Sequence, residues 1–159
     1  MSRALPTVQQ VSALIHSLTG RNVQLKSVGP IARAKVTPGL VAVYRSDDGA
    51  LGVTIACDVA FAAGVGAALT MIPADVVKEC AQDGELTERL TENAHEVLNI
   101  AAGLFNDRGD AHVALTEIVP PKADVPAAVT AVLDKPGARL DLEGAVEGYP
   151  PGRLTLFVP

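Results

Sequence analysis

Residues 86–105 read LTERLTENAHEVLNIAAGLF, and the rest of the chain is best understood outward from them. Leu90, Ala94, Val97, Ala101 and Phe105 recur at steps of three and four, which predicts one long helix with an inward apolar stripe. A second stripe with the same spacing runs through Glu88, Glu92, Glu96, Asn99 and Gly103. At about 100° per residue the second stripe falls on the opposite side of the helix. Glu96 and Asn99 are therefore neighbours, one turn apart and facing solvent. Gly103, a turn further on, leaves that face without side-chain bulk, so that a partner can come close. A plainer reading stands beside this one: an acidic outer face is a solvated surface, and Gly103 equally serves helix packing.

Before this helix, Thr7 is placed to cap a helix over 8–18, which Gly20 stops. Strands are expected over 23–28 and 40–44, separated by the breakers Gly29-Pro30 and Pro38-Gly39. Asp47-Asp48-Gly49 reads as a hairpin turn into a strand over 51–56. Asp58 then caps a helix of small residues over 59–71, in which Gly64 and Gly66 allow close approach to a neighbour at some cost in helix propensity. Pro73 ends it; a short helix over 74–81 and a turn at Asp83-Gly84 follow.

Beyond the long helix, a turn is expected over 107–110 and a strand over 112–119, stopped by Pro120-Pro121. A short helix over 124–133 carries Pro126 in its first turn. The last two strands are expected over 139–147 and 153–158. Both halves run from helix to three strands, which hints at internal duplication. The chain reads as a single α/β (α+β) domain over 1–159, with a mainly antiparallel sheet and two long helices packed on it.

Composition narrows the function classes. Apolar residues are 48% of the 159, which disfavours disorder, while aromatics are only 3% and no Trp is present. The core must come from Ala, Val, Leu and Ile, leaving no aromatic platform for single-stranded bases. The net charge is −5 and the 13 Lys and Arg are scattered, so no nucleic-acid partner is expected. No basic amphipathic helix appears, and the apolar run 59–72 is too short to cross a bilayer, so no membrane insertion is expected. Residues 1–6 lack the apolar core of a signal peptide, and Cys57 and Cys80 show no CxxC spacing; a cytoplasmic protein with buried thiols is the expectation.

Three cofactor patterns are incomplete. His95-Glu-Val-Leu-Asn99 has Asn where the zinc signature HExxH needs its second His. Glu92-Asn-Ala-His95 is a single ExxH, whereas di-iron sites need two in a bundle. Gly64-Val-Gly-Ala-Ala-Leu69 lacks the third glycine of a dinucleotide loop. His16 and His112 have no partners at ligand spacing. No metal or cofactor of its own is expected.

Glu96-Val-Leu-Asn99-Ile-Ala-Ala-Gly103 resembles the ExxN helix of the CheC/CheX/FliY family of CheY-phosphate phosphatases, in which a glycine commonly follows the Asn by four. That family's pattern also has a polar residue four before the Glu and a proline about twenty-two after the Asn. Glu92, where Ser or Asp is usual, and Pro121 occupy those positions, and the segment 120–133 is similar to the family's post-strand segment. The element order agrees over nearly the whole chain, implying a pseudo-duplicated CheC/CheX-like fold. Residues 7–18 carry no Glu/Asn pair, so a single site is expected, as in CheX-like members.

The resemblance implies that the protein is an aspartyl-phosphate phosphatase. Its substrate would be a phosphorylated CheY-like receiver domain, in chemotaxis or a related two-component pathway, and the receiver would supply the Mg²⁺. Glu96 and Asn99 would be the catalytic pair, with Glu88, Glu92, Gly103 and Pro121 toward the partner. Asn99 suits holding a water in line with phosphorus, because its carboxamide both accepts and donates hydrogen bonds. Glu96 suits pairing with the receiver's active-site lysine, and its exposure fits docking better than general-base work. The alternative is a receiver-binding or flagellar-switch-like module without turnover. A homodimer through sheet edges is compatible with the Val-rich strands.

Overall fold

The computed structural model describes residues 3–106 and 109–159; Met1, Ser2, Asp107 and Arg108, and with them part of the turn expected at 107–110, lie outside the described residues. Thr7 opens helix α1 (Val8–Thr19) with a capping box: its hydroxyl accepts the Gln10 amide at 3.1 Å, and the Gln10 side chain accepts the Thr7 amide at 2.8 Å. Gly20 closes α1 in the left-handed region, where a side chain would be strained. Strand β1 (Val23–Ser27) follows, then a four-residue helix α2 (Arg33–Val36) that the sequence pattern does not announce.

Strands β2 (Leu40–Ser46) and β3 (Leu51–Cys57) form the expected hairpin. Its turn is fixed by the Asp48 carboxylate, which accepts the Ser46 hydroxyl and the Ala50 amide, and by Gly49 at φ 87°. Asp58 caps helix α3 (Val59–Thr70) by accepting the Phe61 amide at 2.8 Å. Helix α4 (Ala74–Asp83) leads to helix α5 (Glu88–Ala101), capped by the Thr87 hydroxyl. After Ala102 a short helix α6 (Gly103–Asn106) precedes strand β4 (Val113–Val119). Helix α7 (Ala127–Asp134) and strands β5 (Ala138–Val146) and β6 (Gly152–Val158) complete the chain. Pro126 stands just ahead of α7 rather than within its first turn.

The six strands form one sheet in the order β1-β5-β6-β3-β2-β4, antiparallel at every pairing. Exchanging β1 with β4, β2 with β5 and β3 with β6 returns the same order read from the other edge. The duplication hinted at by the element order is thus built into the topology, with a pseudo-twofold axis between β3 and β6. The same exchange relates α1 to α5 and α2 to α7.

Helices α1, α3 and α5 cover one face of the sheet, one more long helix than the pair anticipated. Their Val11, Ile15, Phe61, Val65, Val97 and Leu98 pack on Leu40, Ala42, Tyr44, Ile55, Leu154 and Leu156. On the opposite face, Val36 of α2 and Val129 and Leu133 of α7 pack on Val41, Val43, Ala56 and Phe157. The inner strands are consequently buried on both faces, which their near-continuous apolar runs reflect. Helix α3 is apolar all round because α4 and α5 cover the sides that the sheet does not. Gly66 admits that contact: a Cβ there would lie 3.1 Å from the Leu90 carbonyl oxygen. Cys57 and Cys80 are buried and not joined in a disulfide, and burial with the neighbouring Asp58 pushes the Cys57 thiol up to about 12.

One polar cluster is buried in the sheet. Asp141 of β5 is 4% exposed and accepts from the Arg139 guanidinium at 2.8 Å, the Thr155 hydroxyl at 2.9 Å and the Ile31 amide at 3.1 Å. Burial alone would push this carboxyl up, but the hydrogen bonds and the charge of Arg139 outweigh it, and its pKa lies below the ordinary carboxylate value. A carboxyl lowered on folding stabilises the fold above its unfolded pKa, about 3.9, and loses that contribution as the pH falls through the folded value. Asp141→Asn is expected to cost about 3 kcal/mol in urea unfolding at pH 7, the low end for a broken buried pair because Arg139 keeps some contact with water. The gap to wild type should narrow below about pH 4; a gap that does not change with pH would contradict this account.

Candidate functional site

The outer face of α5 carries the residues that the sequence singles out. Leu90, Ala94, Val97 and Ala101 are buried, as is Phe105 beyond the break, and Leu98 joins them. Glu88, Glu92, Glu96, Asn99 and Gly103 are all exposed. Glu96 and Asn99 lie one turn apart on this face, and neither side chain has a hydrogen-bond partner among the described residues. Both are free to meet an external group. A carboxylate beside a carboxamide can dock a cation and orient a water, and it offers no nucleophile–base pair.

Gly103 has no conformational reason to be glycine, since it is helical, and an added Cβ would meet nothing within 4 Å. Internal packing, the plainer reading of this glycine, therefore does not account for it. The bare backbone opens outward instead.

Pro121 stands in the turn that follows β4. Its neighbour Lys122 donates to the Asp83 carbonyl at 2.9 Å and faces Glu85 at 3.5 Å, which pins the 120–123 turn against the link between α4 and α5. Helix α5 rises roughly 16 Å from Glu88 to Asn99. The turn beside Pro121 is thus anchored at the link that precedes Glu88, the other end of α5 from Asn99.

The expected unbroken helix over 86–105 divides at Ala102. In a continuous helix the Ala102 amide would donate to the Leu98 carbonyl. It donates instead toward Asn99 and Ile100, at 3.4 Å from the Asn99 carbonyl oxygen, and the Leu98 carbonyl accepts the Tyr44 hydroxyl at 2.5 Å. Tyr44 comes from β2, is fully buried, and meets Phe105 edge-on with ring centroids 5.6 Å apart. Sequence patterning does not reveal this contact. The available signal is a single Tyr in an aliphatic strand, because a buried phenol requires a hydrogen-bond acceptor.

The pseudo-twofold axis places α1 where a second site would fall. Its exposed positions include Gln9, Ala13 and His16, and His16 is engaged with the Arg21 carbonyl at 2.9 Å. No carboxylate–carboxamide pair is present there. Among the described residues, no group of three or more His, Cys, Asp or Glu side chains is placed to hold a metal ion. No helix is long and apolar enough to cross a membrane.

No protein-family model matches the sequence, and no curated protein is similar to it in sequence. Solved structures do resemble it in fold. The FliM middle domain from H. pylori superposes with a TM-score of 0.64 at 10% identity, covering 95% of this chain and 84% of that one. CheX from Borrelia burgdorferi, in its complex with CheY, BeF3 and Mg²⁺, superposes with a TM-score of 0.57 at 13% identity, covering 95% and 94%. FliY from Thermotoga maritima gives 0.51 at 15% identity, covering 92% and 81%. At these identities the likeness establishes architecture: the chain has the antiparallel α/β fold of CheX, FliY and the FliM middle domain.

Proposed function

We propose that this protein is an aspartyl-phosphate phosphatase acting on a CheY-like receiver domain. The observation that carries the reading is the pairing of Glu96 with Asn99, exposed, one turn apart and without internal partners, on the outer face of α5. The shared fold with CheX, solved with CheY, BeF3 and Mg²⁺, supports it.

Phosphoryl transfer asks mainly for positioning and electrostatics. The receiver brings the phosphorylated aspartate and its Mg²⁺. The acidic face formed by Glu88, Glu92 and Glu96 complements that cationic site, and Glu96 docks by pairing with the receiver's lysine. Asn99 holds the attacking water in line with phosphorus through its carboxamide. Gly103 lets the receiver approach the end of α5 without side-chain obstruction.

A second reading has an observation of its own, the higher TM-score with the FliM middle domain. On that reading α5 docks a partner without turnover. The two separate cleanly: a phosphatase clears phosphorylated receiver when present at substoichiometric amounts, and a binder does not.

Phosphate release from a phosphorylated receiver, followed at varied receiver concentration, tests the division of labour. Asn99→Ala is expected to lower kcat by roughly 10²-fold, the order associated with losing one positioned hydrogen-bonding group. Glu96→Ala should act mainly through KM. Rates equal to wild type for both variants would overturn the reading.

Substitutions at Gly103 should separate stability from recognition. Gly103→Ala is expected to stabilise the isolated protein by about 0.5–1 kcal/mol, since nothing in the chain occupies the space. Gly103→Leu should leave the thermal midpoint no lower than wild type and raise KM. An unchanged KM would show that the bare backbone is not a contact.

A further inference from the structure

The carbonyl that Tyr44 occupies belongs to Leu98, the residue immediately before Asn99. It is drawn out of the helical ladder by a side chain 54 residues away in sequence, and the amide that should have met it turns toward Asn99 and Ile100. The same tyrosine holds the chain on both sides of the break. Its hydroxyl fixes Leu98 ahead of Asn99, and its ring fixes Phe105 behind Gly103. Burial pushes the phenol far above its ordinary pKa, with Cys57 adding to the effect, so the group remains a hydrogen-bond donor at all pH values where the protein is used. Tyr44 belongs to the same apolar core cluster as Ala42, Leu98 and Val113.

We propose that Tyr44 is a positioning residue for the candidate site: by taking the Leu98 carbonyl it ends α5 at Ala101 and sets the backbone from which Asn99 and Gly103 are presented. This rests on the reading of Asn99 as the group that positions water. Misplacement of such a group by about 1 Å is enough to cost on the order of 10²-fold in rate. Tyr44 itself, being fully buried, touches neither substrate nor water.

Tyr44→Phe is the test, since it keeps the ring against Phe105 and removes only the hydroxyl. Without it, the Leu98 carbonyl is free to accept the Ala102 amide, and the helix runs on through the break. Amide hydrogen exchange of the isolated protein is expected to show Ala102 fast in wild type and at least tenfold slower in Tyr44→Phe. Phosphate release from a phosphorylated receiver should show kcat reduced by about tenfold or more, with KM within about twofold of wild type because Glu96 still docks. Unchanged exchange at Ala102, or a folded variant with wild-type kcat, overturns the proposal. If wild type releases no phosphate from any receiver, the phosphatase reading falls. The exchange experiment then decides the backbone claim alone, and slowed exchange at Ala102 supports it.

Discussion

Everything in this molecule hangs on the short ladder between β3 and β6. Thr54 faces Phe157, Ile55 faces Leu156, Ala56 faces Thr155 and Cys57 faces Leu154, and across these pairs the two three-strand halves become one sheet. The ladder is buried on both sides, under α1, α3 and α5 on one face and α2 and α7 on the other. Since every other strand is reached outward from it, this pairing decides where α5 lies and which of its faces meets water. The constraint is long-range: residues 54–57 can pair with 154–157 only after all the residues between them have been made, a contact that closes a large loop at an entropic cost.

A core with few aromatics places heavy demands on those it has. Phe61, Phe105 and Tyr44 are buried in the cluster under α1, α3 and α5, and Phe157 in the one under α2 and α7. Elsewhere the packing is made from Ala and Val, and between α1, α3 and α5 this leaves an apolar cavity of about 50 Å³ lined by residues such as Val11, Ala62, Ala94 and Ala101. The candidate site therefore sits on a helix whose underside is lightly filled and whose end is firmly tied. Where Asn99 emerges, the Tyr44 hydroxyl holds the Leu98 carbonyl and the Tyr44 ring meets Phe105.

Local physics was legible and distant physics was not. Thr7 and Asp58 signalled their helices because a cap is written in adjacent residues, and the inward and outward stripes of α5 followed from spacing alone. The exposure of Glu96 and Asn99 was readable for the same reason. Helix α2 leaves no such signal: it has four residues, no side-chain cap and a single buried position, Val36. The break at Ala102 is not written in residues 99–105, because the hydroxyl that meets the Leu98 carbonyl comes from β2. The pseudo-twofold order of the strands was suggested by the repeated element order, but pairing required knowing which edges meet. Pro121 fits a spacing pattern along the chain, and what the fold adds is that its neighbour Lys122 is tied to the link before α5.

The sheet has two open edges, and each is made a poor template. Strand β1 is five residues long and carries the exposed Lys26; strand β4 is interrupted where its register against β2 shifts, with the Thr116 hydroxyl turned onto the Val43 carbonyl and Glu117 paired to Arg45. A charge, a bulge and brevity are the devices that discourage strands from adding to an edge without limit. Any association along β1 or β4 has to be selective, accommodating a kink or a lysine, and runaway fibril-like growth from these edges is disfavoured by the same features that shape the sheet.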